Sequence, residues 1–213
     1  MAEYLARPIR QRLSELTPAI LTLPRESTCF RIHYASGTFP TRWNELRYFG
    51  PVDARFDHHK LDDDGQPLLQ DRGIIYSALD IPTCIAEVFQ HVRFVDPSHA
   101  KPYLVSFKLG RPIRLLDLTD TFPVRAGGSA KVTNGPRSYS RDWSCAFYET
   151  FDEIEGLYYF STMTNRPSIA LYDRVLDDSP IPAIPDFHRA LDDPIVLDLL
   201  HEACVDIGYP LLV

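Results

Sequence analysis

The residues with the most to offer chemically are a glutamate, a serine, a tyrosine and two arginines, spread along a chain of 213 residues. Glu87 falls in GIIYSALDIPTCIAEVFQH, where a strand runs into a helix. On the helical wheel it lies off the apolar stripe, beside Thr83 and His91, so its carboxylate can face a groove. A carboxylate held close to a sugar favours an oxocarbenium-like transition state, as in glycoside hydrolysis. The plainer alternative is a solvated glutamate on a polar helix face. Arg55, in GPVDARFD, offers paired donors matched to phosphate oxygens, or else a surface salt bridge to Asp53 or Asp57. Tyr76 can lay its ring on a planar ligand or donate a hydrogen bond; otherwise it is a core aromatic. Ser161 ends EGLYYFS with the strand parity of Leu157 and Tyr159, and its hydroxyl can bond a sugar or an amide, or cap a turn. Arg31, beside His33, either adds to an anion site or sits at a sheet edge.

The elements that must position these residues can be read from periodicity and turn signals. Residues 8–17 predict a short leading helix and Thr28 to Tyr34 a strand. Phe39 to Gly73 reads as one long irregular segment, with a turn at Asp62 to Gly65, and a structureless stretch of that length points to function or flexibility. Ile74 to Leu79 predicts a strand. Asp80 and Pro82 then supply an N-cap and a first-turn proline. The helix they open carries its apolar face on Ile81, Cys84, Ile85, Val88, Phe89 and Val92. Tyr103 to Leu109 and Ile113 to Leu118 predict strands, followed by a loop from Thr119 to Arg141. Trp143, Phe147 and Phe151 mark another helix face. Strands at 156–161 and at Ser168 to Tyr172 follow, and a last helix carries Val196, Leu199, Leu200, Ala203 and Ile207, closed by Gly208.

Composition narrows the classes. A chain of this length with 45% hydrophobic residues folds around one core. The N-terminal MAEYLARPIRQRL has no secretion-signal pattern, and no apolar run is long enough to span a membrane, so a cytoplasmic protein is expected. The net charge of −7 argues against direct nucleic-acid binding. The four cysteines stand in apolar stretches and read as buried thiols. His58-His59 has no third partner and reads as a solvated loop rather than a metal site. There is no GxGxxG after a strand and no GxxxxGK[ST], so a nucleotide would have to be held by individual side chains.

The elements Arg55-Phe56, Tyr76-Ser77-Ala78, Ala86-Glu87-Val88 and Gly156 through Ser161 occur in an order and spacing that resemble the RES-domain family, over roughly residues 28–175. Two points depart from its common pattern: HHKLDDDGQPLL stretches the interval from Arg55 to Tyr76, and Thr162 stands where an arginine often follows the serine. The resemblance implies an α+β fold, an ADP-ribosyltransferase-like mixed β-sheet core with flanking helices. It would occupy residues 26–213 behind an N-terminal helical extension over residues 1–25.

It also implies a toxin that consumes NAD as substrate by cleaving the nicotinamide–ribose bond. Arg55 and Tyr76 would position NAD with help from Arg31, Glu87 would stabilise the ribosyl cation, and Ser161 would orient the ribose. Nicotinamide leaves neutral, so no metal or other cofactor is expected. The acceptor stays open between inorganic phosphate, water and a protein side chain. An ADP-ribosyltransferase acting on a protein and a catalytically silent nucleotide- or partner-binding module are the alternatives. The expected partner is an Xre-type helix-turn-helix antitoxin, and assembly into a homo-oligomer is left open.

Overall fold

The computed structural model describes residues 8–212. Its centre is a mixed sheet of nine strands: β1 (Ile20–Leu23), β2 (Thr28–Tyr34), β3 (Arg47–Gly50), β4 (Leu68–Ala78), β5 (Pro102–Lys108), β6 (Ile113–Asp117), β7 (Gly156–Phe160), β8 (Pro167–Tyr172) and β9 (Phe187–Ala190). They lie in the order β1-β6-β7-β8-β4-β2-β5-β9, with β3 added alongside β4. β6 and β7 pair in parallel and the other neighbours are antiparallel. Six helices flank the sheet: α1 (Arg10–Ser14), α2 (Ile81–Val88), α3 (Phe122–Arg125), α4 (Lys131–Asn134), α5 (Arg137–Thr150) and α6 (Pro194–Ile207). Trp143 and Phe147 of α5 pack with Leu157 of β7, Ala170 and Tyr172 of β8, and Leu13 of α1. At the other end α2 and α6 share a cluster built on Ile85, Phe89, Val196 and Leu200.

Two local devices bear directly on the site. Asp80 caps α2: its carboxylate accepts from the Thr83 amide at 2.8 Å and from the Thr83 hydroxyl at 2.9 Å. At the start of β7, Gly156 lies so close to β8 that a Cβ there would run into the Ala170 carbonyl. The close approach sets the register that carries β7 forward from Gly156 to Ser161.

Several sequence expectations need correction. The N-terminal helical extension expected over residues 1–25 starts outside the described residues at 1–7. Within it only Arg10–Ser14 is helical, and β1 extends the main sheet by pairing with β6. β1 is four residues between two prolines, too short to announce itself. The supposedly irregular 39–73 contains β3 and the first half of β4. That half pairs with β3 as a projecting ribbon whose Leu69 and Asp71 are exposed, so it has no apolar signature. The loop expected from Thr119 to Arg141 holds α3, α4 and the first turn of α5; two of these helices have four residues each, below the length at which a 3.6-residue period can be read. The helix stops at Val88 with Phe89 buried as its C-cap, leaving Val92 exposed past the end. His58 and His59 are buried, not solvated. His59 Nδ1 is hydrogen-bonded to the buried Asp57 carboxylate, and His58 packs its ring against Tyr148 and Tyr172.

Candidate functional site

β2 and β4 are adjacent, yet they pair at a single position, Phe30 with Ala78, whereas β2 pairs with β5 over its full length. The two strands therefore splay, and a cleft of about 210 Å³ opens in the sheet between them. Arg31, one residue past the last shared pair, reaches across and donates from Nη1 to the Tyr76 carbonyl at 2.9 Å. A guanidinium thus takes over where backbone pairing fails. Its Nε is buried without a protein partner, and burial lowers the Arg31 pKa to about 10. The expectation of an edge-strand arginine does not hold, because β2 is an interior strand.

Glu87 enters the cleft from α2, and Ser161, which lines a neighbouring cavity, meets it from the turn after β7. Ser161 Oγ donates to Glu87 Oε1 at 2.5 Å, while the same oxygen accepts from the Met163 amide at 3.0 Å and the Thr164 amide at 3.3 Å. Ser161 therefore caps its own turn, one of the roles the sequence left open, and presents its proton to a carboxylate, a partner the sequence did not indicate. The two amides saturate its lone pairs, so its hydrogen has one direction left. A second bond, between the Thr83 and Thr164 hydroxyls at 2.8 Å, ties the first turn of α2 to the Ser161 turn. The expected strand ended at Ser161; the strand stops at Phe160 and the serine begins the turn.

Arg55 makes neither of the salt bridges that its neighbours suggested. Its Nη1 donates to the Gly135 carbonyl at 2.6 Å and to Ser140 Oγ at 3.2 Å, which binds the loop before Phe56 to the α4–α5 junction. Asp57 is taken by Arg47 and the Val52 amide, and Asp53 by Arg137. Burial and the nearby Arg137 charge lower the Arg55 pKa, against the opposing pull of Glu87. Tyr76 lines the cleft with a buried hydroxyl that has no protein partner. Tyr159 lines it too; burial and the charge of Glu87 push its phenol pKa up, so it remains a proton donor at any working pH.

The structure brings Arg31, Arg55, Tyr76 and Glu87 together on one cleft, with Ser161 bonded to Glu87. Sequence reasoning missed Arg137, Tyr159, Ser77 and Ser168, which line the same cleft; the Ser77 and Ser168 hydroxyls are buried without partners. Tyr159 was recognisable by its shared parity with Ser161. Arg137 opens α5 after an NGP turn, where a cation is disfavoured by the helix dipole, and that misplacement was the available signal. A neighbouring cavity of about 360 Å³ shares Ser161 with the Glu87 pair and Thr162 with the cleft. Thr162, the residue that departs from the usual arginine, forms the wall between the two. Among the described residues no cluster of three or more His, Cys, Asp or Glu side chains could hold a metal ion.

The expected α+β architecture is present: a mixed β-sheet core with flanking helices, split between β2 and β4, with Arg31 crossing the split and Glu87 entering from the helix that follows β4. The RES domain family matches residues 28–192, and this chain belongs to that family. In fold it is similar to a chain from the crystal structure of the M. tuberculosis MbcT-MbcA toxin-antitoxin complex. The two are 17% identical with a TM-score of 0.59, over 89% of this chain and 95% of that one. A search of curated proteins finds no match.

Proposed function

We propose that this chain is a RES-type toxin that cleaves the nicotinamide–ribose bond of NAD. The observation that carries the reading is the Glu87 carboxylate, fixed by a 2.5 Å bond from Ser161 at a cleft that Arg31 and Arg55 make electropositive. As the bond between the ribose carbon and the pyridinium nitrogen breaks, its electron pair goes to nicotinamide, which leaves neutral. Positive charge then develops on the sugar, where a preoriented carboxylate stabilises it most. The unpartnered Tyr76 hydroxyl and its ring suit the nicotinamide end, and the arginines suit the phosphates. A cleft of about 210 Å³ is smaller than pockets that enclose a drug-sized ligand. The nicotinamide riboside end would enter it, and the adenosine end would lie outside.

Incubating the protein with NAD, with and without inorganic phosphate, and weighing the products tests this. ADP-ribose 1″-phosphate marks phosphorolysis, free ADP-ribose marks hydrolysis, a mass shift on a protein marks transfer, and unchanged NAD refutes the reading.

In cells, expression should lower NAD and arrest growth, and a neighbouring helix-turn-helix protein should relieve both by covering the cleft. Support for such a partner comes from the fold's likeness to a chain of a toxin-antitoxin complex. No helix among the described residues is long and apolar enough to cross a membrane, which fits the cytoplasmic action this reading requires. Harmless expression with level NAD would remove the toxin assignment.

A further inference from the structure

Arg137, unassigned by the family motifs, stands on the cleft wall beside Arg55. The other two cleft arginines are committed to neutral acceptors, Arg31 to the Tyr76 carbonyl and Arg55 to the Gly135 carbonyl and Ser140. Arg137 is paired differently. Its Nη1 bonds the Asp53 carboxylate and lies 3.4 Å from His91 Nε2, and its Nη2 donates to Gln90 Oε1 at 2.6 Å. Asp53 belongs to the loop at the cleft mouth, and its side chain is 70% exposed against 20% for Arg137. An ion pair with one partner so solvated is weak. The cleft's charged lining is then three arginines against Asp53 and Glu87, leaving one net positive charge.

We propose that Asp53 occupies on Arg137 the place of the substrate's pyrophosphate, so that binding exchanges an intramolecular carboxylate for phosphate oxygens. Arg137 is then the binding residue for the anionic middle of the dinucleotide, and Asp53 competes with the substrate for it. The geometry suits this: Arg137's hydrogen bonds go to Asp53, His91 and Gln90 and not to the Glu87–Ser161 pair, and its guanidinium already holds a carboxylate. Phosphate oxygens accept from the same guanidinium with more charge. The proposal rests on the NAD reading and adds to it a further residue that recognises the phosphates.

The test is a matter of sign. If Arg137 and Asp53 merely hold the loop to α5, breaking the pair from either side harms binding alike. If Asp53 competes with substrate, the two substitutions act oppositely. Arg137→Gln should raise KM for NAD about tenfold or more, acting on KM more than kcat, as loss of a charge-assisted phosphate contact does. Asp53→Asn should lower KM by about two- to fivefold, the worth of an exposed ion pair. The double variant should match Arg137→Gln, and Arg137→Lys should fall between wild type and Arg137→Gln. Thermal midpoints of all four confirm that folded protein is compared. KM rising in both single variants, or unchanged in Arg137→Gln, overturns the inference while leaving NAD cleavage standing. A wild type that leaves NAD intact overturns the cleavage reading and this one with it.

Discussion

The Ser161–Glu87 bond makes a quantitative demand on any enzyme that uses it. Ser161→Ala removes a hydrogen bond to a carboxylate at 2.5 Å. Bonds to charged groups contribute about 1.5 to 3 kcal/mol, which corresponds to roughly a tenfold to hundredfold loss of kcat/KM if the whole contribution is expressed in the transition state. Glu87→Gln keeps the size, deletes the charge proposed to face the sugar and should cost about a hundredfold or more. The informative measurement is the double variant, followed by nicotinamide release under saturating and limiting NAD. If Ser161 acts through Glu87, Ser161→Ala in the Glu87→Gln background should cost less than about fivefold, because only a neutral hydrogen bond is left to lose. Ser161→Ala also strips the acceptor from the Met163 and Thr164 amides, and that cost belongs to folding, so melting curves must accompany the kinetics. Losses that simply multiply in the double variant would refute the coupling and return Ser161 to a turn cap.

Three further outcomes follow from the same geometry. Burial pushes the His58 imidazole down from 6.5 to about 4, so the unfolded chain binds its proton more readily. The stability contributed by neutral His58 is complete above the unfolded pKa and is lost as pH falls toward the folded one, about 2 kcal/mol between pH 7 and pH 4.5. Denaturant titrations should show that loss in wild type and less of it in His58→Asn; equal pH slopes would refute it. Gly156→Ala should destabilise by about 1 to 3 kcal/mol, because β7 must move off the Ala170 carbonyl. An unchanged melting midpoint would show that the sheet yields there. Arg55→Lys should weaken NAD binding in calorimetry, since one ammonium cannot hold Gly135, Ser140 and a phosphate together; equal affinity would leave Arg55 a tie between loop and helix.

What the sequence made legible is whatever packing or capping writes into local pattern. α2 could be read because Asp80 caps it, Pro82 opens it and its apolar residues recur on one face. β2 was bounded at Thr28 and Tyr34 as observed, because most of its residues are β-branched or aromatic. Glu87 was placed correctly at the flank of its helix. The splay between β2 and β4 was not legible, since it depends on which strands become neighbours across the intervening residues 35–67, and no local period encodes that. Arg31 was underrated for the same reason: its importance comes from bridging that gap. The burial of His58 and His59 also depends on tertiary neighbours, Asp57 beside one ring and Tyr148 with Tyr172 around the other. A histidine pair in a polar stretch looks solvated until those partners are known.

A carboxylate on a short helix and a hydroxyl on a turn lie in separate elements, and either could drift by an ångström without unfolding the protein. Here the drift is opposed from several sides. The Thr83 hydroxyl donates to Asp80, the cap of α2, and meets Thr164, whose amide is bound to Ser161. Arg166, at the end of that turn, pairs with Asp206 of α6 and lies 3.6 Å from Asp80. The cap that starts the helix of Glu87 and the turn that carries Ser161 are therefore one polar unit, backed by α6. Such a unit holds a charge and its donor in a fixed relation before any ligand arrives. Preorganisation of that kind is where the electrostatic advantage of an active site resides, since no reorganisation remains when charge develops.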